Sequence, residues 1–190
     1  MLLFREKIPL DWLPRVLANV PAVLVDHAHL ERKAATTALN LEKYRDLYSR
    51  VEELNAIAIE EMQHFQLVLK LLKDRGIAFS QPHPSHWISG LMRSVRHGQR
   101  PQVIDHLICC AFIEGRSCEK FQILARELQP VDPELAQFYA SLVESEGNHY
   151  ANYILMAREI DDTETNHRLD FYLDLEVKLI RQPNKLPMLH

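Results

Sequence analysis

Two strings of the form Glu-x-x-His stand out in the chain, Glu61-Met62-Gln63-His64 and Glu146-Gly147-Asn148-His149. On a helix, residues i and i+3 share a face, so each string aims a carboxylate and an imidazole at one point. Oxygen and imidazole nitrogen donors together suit a divalent transition metal. The pattern alone is weak. With 16 Glu and 10 His among 190 residues, chance gives about one such string, and a third occurs at Glu164–His167.

The first two strings gain meaning from Glu31 and Glu114, each in the middle of an otherwise apolar stripe. Glu31 and Glu61 are 30 residues apart, centred on position 46 in the polar Tyr44-Arg45-Asp46 segment. Glu114 and Glu146 are 32 apart, centred on Pro130. On two antiparallel hairpins, the members of each pair lie equally far from the turn, roughly 20–24 Å along the helix at 1.5 Å per residue. Four carboxylates and two imidazoles are then expected on one layer of a bundle core: Glu31, Glu61, His64, Glu114, Glu146 and His149. Glu164–His167 has no such partner and reads as surface.

Four buried carboxylates without counter-charge are prohibitive, and would take up protons instead. Two divalent ions offset them, with one His and one terminal Glu per ion and two Glu left to bridge. Carboxylate-rich ligation with one imidazole per ion favours two Fe ions, with Mn second, over structural Zn and its closed Cys/His tetrahedra.

Helices must position these groups, and the punctuation allows them. Only 5 Gly occur, and the 10 Pro are bunched, with none between Pro21 and Pro82, Pro101 and Pro130, or Pro133 and Pro183. Trp12, Leu13, Val16, Leu17 and Val20 predict a short first helix interrupted near Pro21. A largely alanine stripe follows at helical period, Leu24, Ala28, Glu31, Ala34/Ala35, Ala38 and Leu41. A second long helix runs through Val51, Ile57, Glu61, His64 and Leu72, with Gly76 as its C-terminal cap. A third carries Val103, Leu107, Glu114, Cys118 and Phe121. Asp132 and Pro133 predict the N-cap and first position of a fourth, through Leu142, Glu146 and His149. A last amphipathic helix spans about 163–180. Residues 77–101, with Pro82, Pro84, Pro101, Gly90 and Gly98, fit no core helix and read as one long crossover. Two hairpins joined by a long connection make an all-α, ferritin-like four-helix bundle with extra terminal helices, one domain over residues 1–190 with its core at about 22–158.

Around the ligand positions, Cys110 and Cys118 flank Glu114 on its face, and small buried hydrophobes are a better reading than thiolate ligands. His27, one turn before Glu31, is either a group supporting the ligands or a satisfied core histidine. Arg32 and Arg116 closely follow ligand glutamates and suit pairing with carboxylates outside the metal layer. Gly115 and Gly147, each directly after a ligand Glu, mark a close helix contact or an opening for substrate.

Composition excludes several classes. A formal charge of −4 is neither a basic nucleic-acid tail nor an acidic solvating chain. Three clustered Cys argue against a disulfide framework and for a reducing, cytoplasmic setting. No apolar run reaches membrane-spanning length, and Met1–Pro9 has no signal-peptide core. The ligand set itself does not choose among iron storage, peroxide scavenging and O2 activation.

Longer strings narrow the choice. Asp26-His27-Ala28-His29-Leu30-Glu31-Arg32-Lys33-Ala34-Ala35, Glu60-Glu61-Met62-Gln63-His64-Phe65 and Ile113-Glu114-Gly115-Arg116-Ser117-Cys118-Glu119-Lys120-Phe121 resemble the MiaE family over roughly residues 10–160. Those proteins are non-haem di-iron tRNA monooxygenases. The resemblance implies O2-dependent hydroxylation of the isopentenyl side chain of a hypermodified adenosine in the anticodon loop. It makes Glu31, Glu61, His64, Glu114, Glu146 and His149 the ligands of the di-iron site. It further implies a tRNA substrate, an external electron donor of reductase or ferredoxin type, and a monomer. Phe65, Phe121 and Tyr150 would line a dry pocket for the prenyl group. Arg93, Arg96 and Arg100, with His97, would form a basic patch in the crossover for tRNA phosphates, and the crossover would close as a lid. The alternative is a ferritin-like iron-handling or peroxide-scavenging protein, assembled as a shell or dimer.

Overall fold

A computed structural model describes residues 3–184 and 186–190 of the chain. Among them are seven α-helices: α1 (Trp12–Ala18), α2 (Val20–Leu41), α3 (Val51–Asp74), α4 (His86–Met92), α5 (Gln99–Leu128), α6 (Pro133–Ile160) and α7 (Asp162–Ile180). A 3-10 turn at Arg45–Arg50 joins α2 to α3. No strand occurs among the described residues. The chain divides into two compact units, one made of Pro14–Ser85 with Asn184–Leu189, the other of the chain up to Leu13, His86–Pro183 and His190.

The α2–α3 hairpin builds the first unit. Asn19 caps α2, its side-chain oxygen accepting from the Ala22 N–H at 3.3 Å, and Pro21 sits in the first turn where no donor is needed. Ala28, Ala35 and Ala38 are fully buried, so the alanine stripe lets a neighbour approach closely. At the end of α3 the Ile77 N–H reaches the Leu72 carbonyl at 2.8 Å, and Gly76 between them takes φ +66°. This is the expected glycine cap, since a side chain at that left-handed position is strained.

The α5–α6 hairpin builds the second unit. Asp132 accepts from the Leu135 N–H at 3.1 Å and Pro133 opens α6, as the turn chemistry predicts. Inside the hairpin Phe121 packs on Tyr139 with centroids 5.2 Å apart. Asp161 alone separates α6 from α7 and caps α7 through the Glu164 N–H at 3.0 Å.

The crossover differs from a plain loop. It contains α4, whose Trp87 is buried and whose Gly90 lies against Leu179 of α7 so closely that any Cβ would collide. Beyond α4, Arg96 donates from its backbone N–H and side chain to Asp105, each at 3.0 Å. Arg168 of α7 grips the same carboxylate at 2.8 and 2.9 Å. Asp105 is wholly buried, so two guanidiniums satisfy it where water cannot.

Candidate metal centre

In the first unit, Glu31 lies ten residues before the end of α2 and Glu61 ten residues after the start of α3. Equal distance from the turn puts them level, and His64 follows one turn along α3. Glu31, Glu61 and His64 each offer a ligand atom within 4.8 Å of the others. The Glu31 Oε2 lies 3.8 Å from His64 Nδ1. All three residues are at most 6% exposed. The imidazole Nε2 of His27, fully buried, contacts Glu31 Oε1. Burial pushes the Glu31 carboxyl upward, but the charge of His27 and hydrogen bonds with His27, His64 and Glu61 outweigh it and hold it well below the usual carboxylate range.

In the second unit, Glu114 lies 14 residues before the end of α5 and Glu146 13 residues after the start of α6. Glu114, Glu146 and His149 also offer ligand atoms within 4.8 Å of one another, and none is more than 4% exposed. Each unit therefore carries two carboxylates and one imidazole, closely spaced and withdrawn from water. This donor set fits one divalent ion per triad: one 2+ charge balances two carboxylates, and oxygen-rich ligation with one imidazole suits Fe or Mn.

No cysteine belongs to either cluster. Burial pushes the Cys109 thiol up to about 12 and raises Cys110 as well, with Cys109 and Glu114 adding to the shift at Cys110. The Cys118 thiol donates to the Val143 carbonyl at 3.5 Å. These are packing groups in the hairpin.

The sequence profile described as tRNA-(MS[2]IO[6]A)-hydroxylase (MiaE) matches residues 2–190. The chain belongs to the MiaE family. Among proteins similar to it is a tRNA 2-(methylsulfanyl)-N(6)-isopentenyladenosine(37) hydroxylase of Pseudomonas putida, 35% identical over 179 residues, 93% of this chain and 86% of that one. A protein of the same name from Salmonella typhimurium is 33% identical over 135 residues, 71% of this chain, which spans about half the length of that relative. In three dimensions the chain resembles a Synechococcus protein with aldehyde deformylating oxygenase activity. The TM-score is 0.91 at 30% identity, covering 100% of this chain and 96% of that one. The fold is all-α and ferritin-like.

The remaining predicted positions separate. Phe65 is half-buried on α3, with its ring 6.0 Å from Phe79. Phe121 is fully buried against Tyr139, and Tyr150 is buried beside Gly115. A Cβ on Gly115 would lie 2.9 Å from both Phe4 and Tyr150, so this glycine marks a close contact. None of the three aromatics lines the cavity of about 210 Å3 between the start of α2 and residues 77–83, whose walls include Val25, Asp26, Ser80 and His83. Arg93 and Arg100 are exposed, as a phosphate contact requires. Arg96 is not available in that way, because Asp105 and Glu164 take its donors. Arg116 pairs as expected with carboxylates, Glu176 at 2.7 Å and Glu119 at 2.5 Å. Arg32 departs from expectation: it contacts His29 Nδ1 at 3.1 Å and forms no ion pair among the described residues. Glu164 pairs with Arg96 and His167 is exposed, in keeping with their assignment outside the metal layer.

Proposed function

We propose that Glu31, Glu61, His64, Glu114, Glu146 and His149 are the ligands of a dinuclear iron centre, and that the chain hydroxylates the isopentenyl side chain of a hypermodified adenosine in tRNA. The observation that carries this reading is the repeated triad: a Glu and a Glu-x-x-His on each of two hairpins, buried and with ligand atoms within 4.8 Å in each. The names of the relatives supply the substrate class.

When bound and reduced by an external donor of reductase or ferredoxin type, two irons supply O2 activation for placing one oxygen atom on carbon and the other in water. The protein contributes the surroundings. Near-complete burial of the triads excludes bulk water and so guards the reaction against side products. His27 holds Glu31 in one orientation and in its ionised form, ready to ligate. The exposed cations Arg93 and Arg100 offer phosphate contacts for tRNA, and the anticodon loop presents bases that are already splayed. No helix among the described residues is long and apolar enough to cross a membrane. We assign the protein to the cytoplasm as a monomer, where tRNA and electron donor are both present.

Two measurements test the assignment. Anaerobic Fe(II) reconstitution followed by metal analysis is expected to give two irons per chain, and Glu114→Ala is expected to lose iron while its helical circular dichroism survives. Mass spectrometry of tRNA nucleosides from cells with and without the gene is expected to show the hydroxylated prenyl-adenosine only with it. Persistence of that nucleoside after deletion overturns the function. A large shell on gel filtration favours an iron-handling protein instead.

A further inference from the structure

Phe79 lies just beyond α3 and is 43% exposed, with an ordered partner on one face of its ring. It stacks on His29, with centroids 4.4 Å apart and planes 24° from parallel. Phe65 meets it at 6.0 Å with the rings tilted by 60°. His29 is only 4% exposed, and both its ring nitrogens are engaged. Nε2 donates to the Ser80 carbonyl at 2.7 Å, and Nδ1 accepts from Arg32 Nη2 at 3.1 Å. Because Ser80 is the next residue, the first bond also fixes the backbone that carries Phe79. The ring is therefore held in place before any ligand arrives.

Arg32 completes the arrangement. Its guanidinium carbon lies 6.0 Å from the Phe79 centroid, the residue is exposed, and it forms no ion pair with a carboxylate among the described residues. A fixed aromatic face open to solvent beside an exposed guanidinium that no carboxylate among the described residues neutralises matches the needs of single-stranded nucleic acid: a base stacks on the ring and the cation takes the adjoining phosphate. A purely structural ring would be served better by full burial, and a purely structural arginine by a carboxylate.

We propose that Phe79 is a stacking platform for a nucleobase of the tRNA loop, with Arg32 set for its phosphate and His29 as the residue that positions the ring. This rests on the tRNA reading above. Binding of a prenylated anticodon stem-loop RNA to the iron-loaded full chain, followed by fluorescence anisotropy, tests it. Phe79→Ala and Phe79→Leu are expected to weaken binding about tenfold, while Phe79→Tyr binds like the unmodified chain. Phe79→Leu keeps apolar cover over His29, so iron content and helical signal are expected to stay unchanged. Arg32→Gln is expected to lower the slope of log affinity against log salt by about 0.7, the contribution of one single-strand phosphate. If the unmodified chain binds the stem-loop but Phe79→Leu binds equally well, the stacking proposal falls and the tRNA reading stands. If the unmodified chain prefers the stem-loop no more than a scrambled hairpin, both fall.

Discussion

His27 and Glu31 lie one helical turn apart on α2, and Nε2 of the imidazole meets Oε1 of the carboxylate in a region closed to solvent. A ligand carboxylate held by a second group keeps its orientation when the ion leaves, and this lowers the cost of rebinding. His27→Ala is therefore expected to weaken Fe(II) binding by about 10–100-fold, the range for removing such a supporting group. His27→Gln retains a donor and is expected to recover part of that loss. Anaerobic Fe(II) titration of the two variants checks it, and unchanged affinity in His27→Ala would reduce the residue to packing.

Glu176 on α7 is the buried partner of Arg116, which donates from Nε at 2.8 Å, and of Trp87, whose Nε1–H donates at 3.3 Å. Burial raises its carboxyl above the ordinary value, with Arg116 opposing but not cancelling the effect. A carboxyl raised on folding binds its proton more tightly in the native state. Its stabilising contribution is thus complete below the unfolded value and is lost as pH rises through the folded value. Glu176→Gln accepts from the same donors without titrating. The stability difference, native chain minus Glu176→Gln, is expected to shrink as pH rises through the carboxylate range in denaturant titrations. A constant difference would show that Glu176 does not titrate differently on folding.

The two glycines that follow the proposed ligands Glu114 and Glu146 make opposite forecasts. A Cβ on Gly147 would meet only Cys118 Sγ, at 3.8 Å, an ordinary contact. Gly147→Ala is expected to stabilise the chain by up to about 1 kcal/mol through helix propensity. Gly115→Ala would press on the Phe4 and Tyr150 rings at 2.9 Å and is expected to destabilise by about 1–3 kcal/mol. Thermal melts of the two variants separate these outcomes by sign. Stabilisation by both would mean that Phe4 yields freely.

Local chemistry accounts for what could be read along the chain. The caps at Gly76 and Asp132 act within a few residues, and helical period exposes Glu31 and Glu114 as the odd members of apolar stripes. The closeness of the Glu and Glu-x-x-His groups within each hairpin was legible because each hairpin converts symmetry about a turn into proximity. What escaped has no local signature. The seven residues of α4 are too few for a period, and Asp105 binds Arg168, 63 positions away, which no spacing rule anticipates. Arg32 looked like a carboxylate partner because arginine near glutamate usually is one. Its actual neighbours, His29 and Phe79, depend on how the chain folds back after α3.

Arg93, Arg96 and Arg100 look alike in the sequence but differ in surroundings, and RNA binding can sort them. Arg93 and Arg100 are exposed, so each can be reached by a phosphate from solvent. Arg96 is bound to the fully buried Asp105, which also receives Arg168. Removing one partner of a buried charge leaves the other uncompensated, a loss of about 3–5 kcal/mol in comparable pairs. Arg168 remains as a second partner, so Arg96→Gln is expected to fall at or below the low end of that range. The double substitution Arg93→Gln/Arg100→Gln is expected to leave the melting temperature unchanged and to lower the salt slope of stem-loop binding by about 1.4–1.8, two phosphate contacts' worth. Arg96→Gln is expected to do the reverse, lowering the melting temperature with the salt slope intact. A slope unaffected by the double substitution would remove the crossover from the RNA interface. A stable Arg96→Gln with a reduced slope would show that Arg96 leaves Asp105 to meet RNA.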